Sequence, residues 1–296
     1  MSTKTTHYYV PAQSIWPAVA SISLFTLAIG ATNFIQQSDA AVSGNTGTHG
    51  WLVFLAGLLG ILAVMFFWFG QTIKESMAGM NSRQMDISYR MGMMWFIFSE
   101  VMFFAAFFGT LFYARWLSVP WLAGEGKGVM THELLWPDFQ AMWPLTATPD
   151  GRTVEAMSPF PLPLLNTILL ITSGLFLTVA HHALKANNRP KLIMNLFITV
   201  VLGFTFLGVQ AYEYHHAYTE MGLTLHAGMY GTTFFMLTGF HGLHVTIGAI
   251  MLTVMLIRSM KGHFQPDEHF AFEAAAWYWH FVDVVWIFLF FVVYWL

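Results

Sequence analysis

Seven stretches of this chain stay apolar for about 20 residues or more, the length an α-helix needs to cross a hydrocarbon core. They cover roughly residues 15–35, 51–72, 88–116, 160–183, 192–212, 226–257 and 270–296. Inside a bilayer the backbone must satisfy its own polar groups, and continuous apolar runs of this length do so as helices. Composition agrees: 56% of the 296 residues are hydrophobic and 9% are charged, where a soluble domain carries about 25% charged residues. A disordered chain is excluded, and the charges are too few to cover a water-soluble globule. The expected fold class is an all-α polytopic membrane protein with seven transmembrane helices in a single membrane domain, residues 1–296. Net charge is −3 with no Lys/Arg run, so nucleic acid is not an expected partner. Cysteine is absent, which removes disulfides, iron–sulfur clusters, thiolate haem and Cys-based zinc or copper sites.

Loop charges set the orientation. With the N-terminus inside, the inner segments hold Lys4, Lys74, Arg83, Arg90, Lys185, Arg189, Lys191, Arg258 and Lys261. The outer segments hold Arg115, Lys127 and Arg152. That asymmetry follows the positive-inside rule, and seven spans then leave the C-terminus outside. Trp16, Trp51, Trp116 and Trp295 stand at span edges as an interfacial belt. The third, sixth and seventh stretches exceed one bilayer thickness, so tilt or extension into water is expected. The first stretch is longer than the core of a secretory signal and is read as a span, although Ala40 and Ala41 resemble a cleavage site. The long outer loop, residues 117–159, carries Pro120, Pro137, Pro144 and Pro149 and lacks a clear apolar period, so it reads as an ordered or semi-ordered loop without a domain of its own.

Ionisable groups at membrane depth are costly and mark candidate sites. Five stand out: Glu100, His241, His244, His280 and Asp283. Glu100 lies about 18 Å into the third span at 1.5 Å per residue, near the midplane. His241 and His244 share a helix face at i,i+3 spacing, and His280 and Asp283 repeat that spacing in the last span. A carboxyl at this depth is expected to be neutral or paired with a histidine. The leading reading is a hydrogen-bond network tying helices together. A proton relay is the second. A metal held by His241, His244 and His280 is the third, and it requires three or four converging ligands. The adjacent pairs His181–His182 and His215–His216 point about 100° apart on a helix and chelate poorly as pairs, so they read as interfacial anchors. Met91, Met93 and Met94 read as adaptable packing. Small residues such as Gly57, Gly60, Gly203 and Gly248 permit close helix approach.

Longer motifs carry a resemblance. Phe234–Leu252 (FFMLTGFHGLHVTIGAIML), Phe272–Trp286 (FEAAAWYWHFVDVVW) and Tyr89–Phe108 (YRMGMMWFIFSEVMFFAAFF) resemble the sixth, last and third helices of cytochrome c oxidase subunit III. SIWP at Ser14–Pro17, PLLNT at Pro163–Thr167 and AHHAL at Ala180–Leu184 extend the likeness over nearly the whole chain. The resemblance implies a core subunit of a haem–copper oxidase that carries no redox centre, with haem and copper in partner subunits I and II. It implies two helix groups, helices 1–2 (residues 14–72) and helices 3–7 (residues 88–296), around a V-shaped cleft that holds phospholipids. It further implies protection of subunit I during turnover and support of proton uptake through the D pathway, with small accessory subunits as further partners.

By the same resemblance, Glu100 matches the family's reactive glutamate, His244 its hydrogen-bond partner and His241 the companion histidine. Lys74, Arg258, Lys261 and His263 match positions that hold lipid headgroups on the inner side. Lys74 stands where Arg is frequent, and an ammonium lacks the guanidinium fork. His7 falls near the mouth of the D pathway, where it would act as a proton antenna, with a plain exposed tail histidine as the alternative. The expanded loop Leu117–Arg152 departs from the animal mitochondrial pattern and favours a bacterial aa3-type enzyme of the cytoplasmic membrane. The rival readings are the matching subunit of a quinol oxidase and a secondary transporter or proton channel. Against the last stand the missing internal repeat and the unbroken helices.

Overall fold

The computed structural model describes residues 13–42, 50–149 and 151–295, except for the side chains of residues 38–42. The helices run in the order α1 (Trp16–Val42), α2 (Gly50–Met77), α3 (Arg83–Tyr113), α4 (Val119–Leu122), α5 (Val129–Leu135), α6 (Leu162–Lys185), α7 (Arg189–Thr219), α8 (Gly228–Met260) and α9 (Phe270–Leu289). A π-helical turn, Ala114–Ser118, joins α3 to α4, and another, Phe290–Trp295, follows α9. Seven of these helical segments are long and apolar enough to cross a membrane, in the order the sequence gives them. No strand forms among the described residues, and two isolated bridges, Ala147 with Thr153 and Gln265 with Glu268, are the β contacts found there. The chain is an all-helical, multi-pass membrane protein.

The chain divides into two compact units, one ending at Tyr89 and the other beginning at Arg90. In the first unit α1 and α2 run antiparallel with backbones pressed together. Cβ atoms added at Gly30 and Gly57 would collide with the backbones of Phe54 and Leu27, and one at Gly60 would sit 2.7 Å from Ser23 Oγ. This small-residue seam is how membrane helices gain dispersion contact without a hydrophobic drive. Trp16 stacks on Phe67 at 6.0 Å and donates its indole N–H to Gln71 Oε1 at 2.7 Å, closing the hairpin's end.

The second unit is built around α9. Trp279 is fully buried. Its ring lies in a slot that only glycines leave open: added Cβ atoms at Gly203 on α7 and Gly248 on α8 would come within 2.7 Å and 2.8 Å of it. Its indole N–H donates to Ser173 Oγ on α6 at 2.9 Å. About two turns further, Trp286 donates to Thr167 Oγ1 at 3.0 Å and meets Phe206 edge-on at 4.8 Å. Two large rings thus key α9 to α6, α7 and α8.

The helix ends after α6 and α8 close alike. After α6, Asn187 takes a left-handed φ of 54°. Asn188 N–H then donates to Ala183 O at 2.9 Å and Asn187 N–H to Leu184 O at 3.0 Å, a Schellman closure. Asn188 Oδ1 accepts from Lys191 N–H at 3.2 Å and so begins α7 at once, with Pro190 in its first turn. After α8, Gly262 (φ 75°) does the same job, with His263 N–H on Arg258 O at 3.0 Å.

Helix lengths exceed the apolar runs. α7 extends to Thr219, seven residues past the hydropathic end at Tyr212, because His215, His216 and Tyr218 continue the helix where hydropathy has ended. Between α5 and α6, Leu145 and Met157 are buried. Met157 N–H donates to Tyr230 Oη at 3.1 Å, and the Trp143 ring meets Tyr230 edge-on at 6.0 Å.

Candidate functional site

The sequence's five intramembrane polar residues fall into two side-chain pairs and one histidine held by a backbone carbonyl. Glu100 on α3 and His244 on α8 meet, with Oε2 2.8 Å from Nε2. His244 Nδ1 lies 2.6 Å from Phe240 O, one turn back on its own helix. A carbonyl only accepts, so Nδ1 carries a hydrogen. The Nε2–Oε2 contact then holds one further proton, on the ring or on the carboxyl. Either way the pair is neutral as a unit, which suits its depth. Phe104 and Phe103 flank the imidazole at 4.9 and 5.7 Å, and Tyr278 stacks beside it at 6.4 Å. The side chains are 10% and 21% exposed, so the pair is enclosed but not sealed.

His241 shares the face of His244 yet takes a different partner. Its ring is fully buried, and Nε2 donates to Val282 O on α9 at 3.2 Å. Phe206 and Trp286 pack against it at 5.8 and 5.0 Å. The bond reaches a backbone carbonyl, so it staples α8 to α9 whatever side chain stands at Val282.

His280 and Asp283 form the second pair, against α6. His280 Nδ1 lies 3.4 Å from Asp283 Oδ2, and its Nε2 lies 3.4 Å from Thr178 Oγ1. Gly174 makes the room, since a Cβ there would collide with Asp283 Oδ2. His241, His244 and His280 thus point to three different partner sets and do not converge on one ion.

The candidate headgroup residues divide as well. Lys74 ends α2 and is exposed, and Lys261 is exposed just past α8. Arg258 is buried and lays its guanidinium over the Phe264 ring at 4.5 Å. That cation–π seat holds the chain leaving α8. His263 is half-buried, with its N–H closing the α8 end on Arg258 O. His7 lies outside the described residues.

The geometry of helix three against helix eight, with a carboxyl–imidazole pair at its centre, is the setting for the comparison with known proteins. The family model for cytochrome c oxidase subunit III matches residues 6–127 and 129–296. The chain belongs to the cytochrome c oxidase subunit III family. Curated relatives agree over the full length. Cytochrome c oxidase subunit 3 of Hippopotamus amphibius is 37% identical over 296 residues, covering 100% of this chain and 99% of that protein. The Drosophila melanogaster protein of the same name is 38% identical with the same coverage. That of Prototheca wickerhamii is 39% identical over 97% of this chain and 96% of its own. The subunit III helices named from sequence motifs, those at Tyr89–Phe108, Phe234–Leu252 and Phe272–Trp286, fall on α3, α8 and α9.

Sequence reading of this subunit III chain missed two polar clusters. Glu213 is fully buried and accepts the Tyr294 hydroxyl at 2.8 Å. Asn166 Nδ2 donates to Gln210 Oε1 at 3.3 Å one turn deeper. Their signal was present, since Asn166, Gln210 and Glu213 all lie in helical segments, but Glu213 fell one residue beyond the hydropathic end of its span. The other missed cluster joins His181, His269, Glu273 and Arg90, from three helices far apart in sequence.

Proposed function

We propose that this chain is the non-catalytic core subunit III of a cytochrome c oxidase, the aerobic terminal oxidase that reduces oxygen to water with proton pumping. It binds subunit I as its main contact, meets subunit II, and leaves the haem and copper chemistry to them. The observation that carries the reading is the family match along both halves of the chain, together with a helix-bridging carboxyl–imidazole pair whose atoms satisfy one another. A carboxyl and an imidazole that bond each other tie α3 to α8, which favours a scaffold over a proton channel.

The finer roles are read from placement. Lys74 and Lys261 stand exposed at inner helix ends, where anionic or zwitterionic headgroups are within reach of a lysine stem. Structural phospholipids are the ligands that such positions suit. Support of proton uptake by the D pathway, with His7 as antenna, is carried over from the family. The expanded outer loop supports a bacterial cytoplasmic membrane as the location.

Removing this chain from the purified oxidase tests the reading. Haem and copper content per complex should stay unchanged, while the remaining enzyme loses activity progressively during turnover. Loss of haem or copper in proportion to the chain removed contradicts it, as does a stripped enzyme that turns over as long as the intact one.

A further inference from the structure

At the inner end of the second unit, His181 of α6 meets His269 and Glu273 at the start of α9. Three donor atoms form a nearly regular triangle. His181 Nε2 lies 3.2 Å from His269 Nε2 and 3.6 Å from Glu273 Oε1, and His269 Nε2 lies 3.5 Å from Glu273 Oε1. Zinc binds imidazole nitrogen at about 2.0–2.1 Å and carboxylate oxygen at about 2.0–2.2 Å. Tetrahedral angles at those lengths separate two donors by roughly 3.3–3.5 Å. The triangle therefore already has the size of one face of a zinc tetrahedron.

We propose that His181, His269 and Glu273 form a binding site for one divalent cation of the zinc class, with a fourth position open to water. Two imidazole nitrogens and one carboxylate oxygen are borderline donors that suit zinc, whereas magnesium and calcium take six or more oxygens. Support lies behind the donors. His269 Nδ1 is 3.2 Å from Gln265 O, so Nδ1–H donates there and the Nε2 lone pair faces the triangle. Glu273 pairs its other oxygen with Arg90, which turns Oε1 toward the histidines. His269 and Glu273 are four residues apart, so the opening turn of α9 presents both on one side. Phe272 packs on the His181 ring at 5.5 Å. The side chains of His181, His269 and Glu273 are 21%, 8% and 12% exposed, so the site is enclosed yet reachable from one side. Zinc is redox-inert, so the site adds no redox centre. It pins the end of α6 to the start of α9, adding to the His181–His269 contact already there.

The site stands on this chain's geometry and is independent of the proposed oxidase role. The test uses the chain purified in mild detergent with whatever accompanies it, stripped by chelator, dialysed and titrated with zinc chloride. The wild type should bind one zinc more than the His181→Ala variant, and excess magnesium chloride should not displace it. Glu273→Gln should weaken that zinc by at least about 10-fold. X-ray absorption at the zinc edge of the wild type should show two imidazoles and four light-atom ligands at about 2.0–2.1 Å. Equal zinc stoichiometry in wild type and His181→Ala overturns the proposal. If His181→Ala does not assemble, the wild-type spectrum decides alone, and zinc without two imidazoles overturns it.

Discussion

The Glu100–His244 pair can be weighed by a double-mutant cycle. Interhelical hydrogen bonds in membranes average about 0.6 kcal/mol and reach about 1.7 kcal/mol. Three features place this one in the upper half of that range. Its Nε2–Oε2 distance is 2.8 Å, the ring is fixed from behind by Phe240 O at 2.6 Å, and the imidazole is 10% exposed. A coupling of about 1–1.5 kcal/mol follows, about tenfold in an unfolding equilibrium. Glu100→Ala should cost about that much or slightly more, because His244 Nε2 loses its partner in an enclosed site. Glu100→Gln should cost less than about 0.5 kcal/mol, because the amide N–H can donate to His244 Nε2 without needing the shared proton. The assay is unfolding in mixed micelles followed by tryptophan fluorescence, on Glu100→Ala, His244→Ala and the double variant. Two results refute the reasoning: a Gln variant as unstable as the Ala variant, or single-variant losses that simply add. A Gln variant that keeps its stability and loses turnover instead moves the pair from scaffold to proton relay.

Three further outcomes are expected. Gly248→Ala places a methyl 2.8 Å from the Trp279 ring, and overpacking of this kind costs about 1–3 kcal/mol; a thermal unfolding temperature equal to wild type contradicts the slot described for Trp279. Ser23→Cys with Gly60→Cys should cross-link α1 to α2, since an added Cβ at Gly60 lies 3.1 Å from Ser23 Cβ; the chain has no native cysteine to confuse the readout, and failure to cross-link under mild oxidant counts against the antiparallel seam. Lys261→Cys should react with a membrane-impermeant maleimide only from the inner side and Lys127→Cys only from the outer side; the reverse pattern overturns the orientation drawn from loop charge.

The seven helices were legible because the bilayer imposes one length and one polarity on each. Their ends were less so. α7 was expected over residues 192–212 and runs Arg189–Thr219, because helix propagation depends on backbone bonds and local propensity while hydropathy reports only what suits lipid. Glu100, His241, His244, His280 and Asp283 stand out in the sequence by their position within apolar stretches, and the i,i+3 spacing puts His241 and His244 one turn apart. Spacing could not say that one ring reaches Glu100 and the other the Val282 carbonyl, because the sequence does not contain the rotation of α8 against its neighbours. The same limit hid His181. As an adjacent pair with His182 it chelates poorly, and its companions His269 and Glu273 lie on a helix 88 residues on. Only the packing of α6 against α9 brings them together.

If this subunit III chain works inside a haem–copper oxidase, the redox partners should travel with it. The direct measurement is a pull-down of the tagged chain from its native membrane in mild detergent, followed by a reduced-minus-oxidised spectrum and metal analysis. Haem and copper should co-purify with the chain, and both should leave it when a harsher detergent strips the partners away. A chain that emerges from mild detergent with no haem partner contradicts the account.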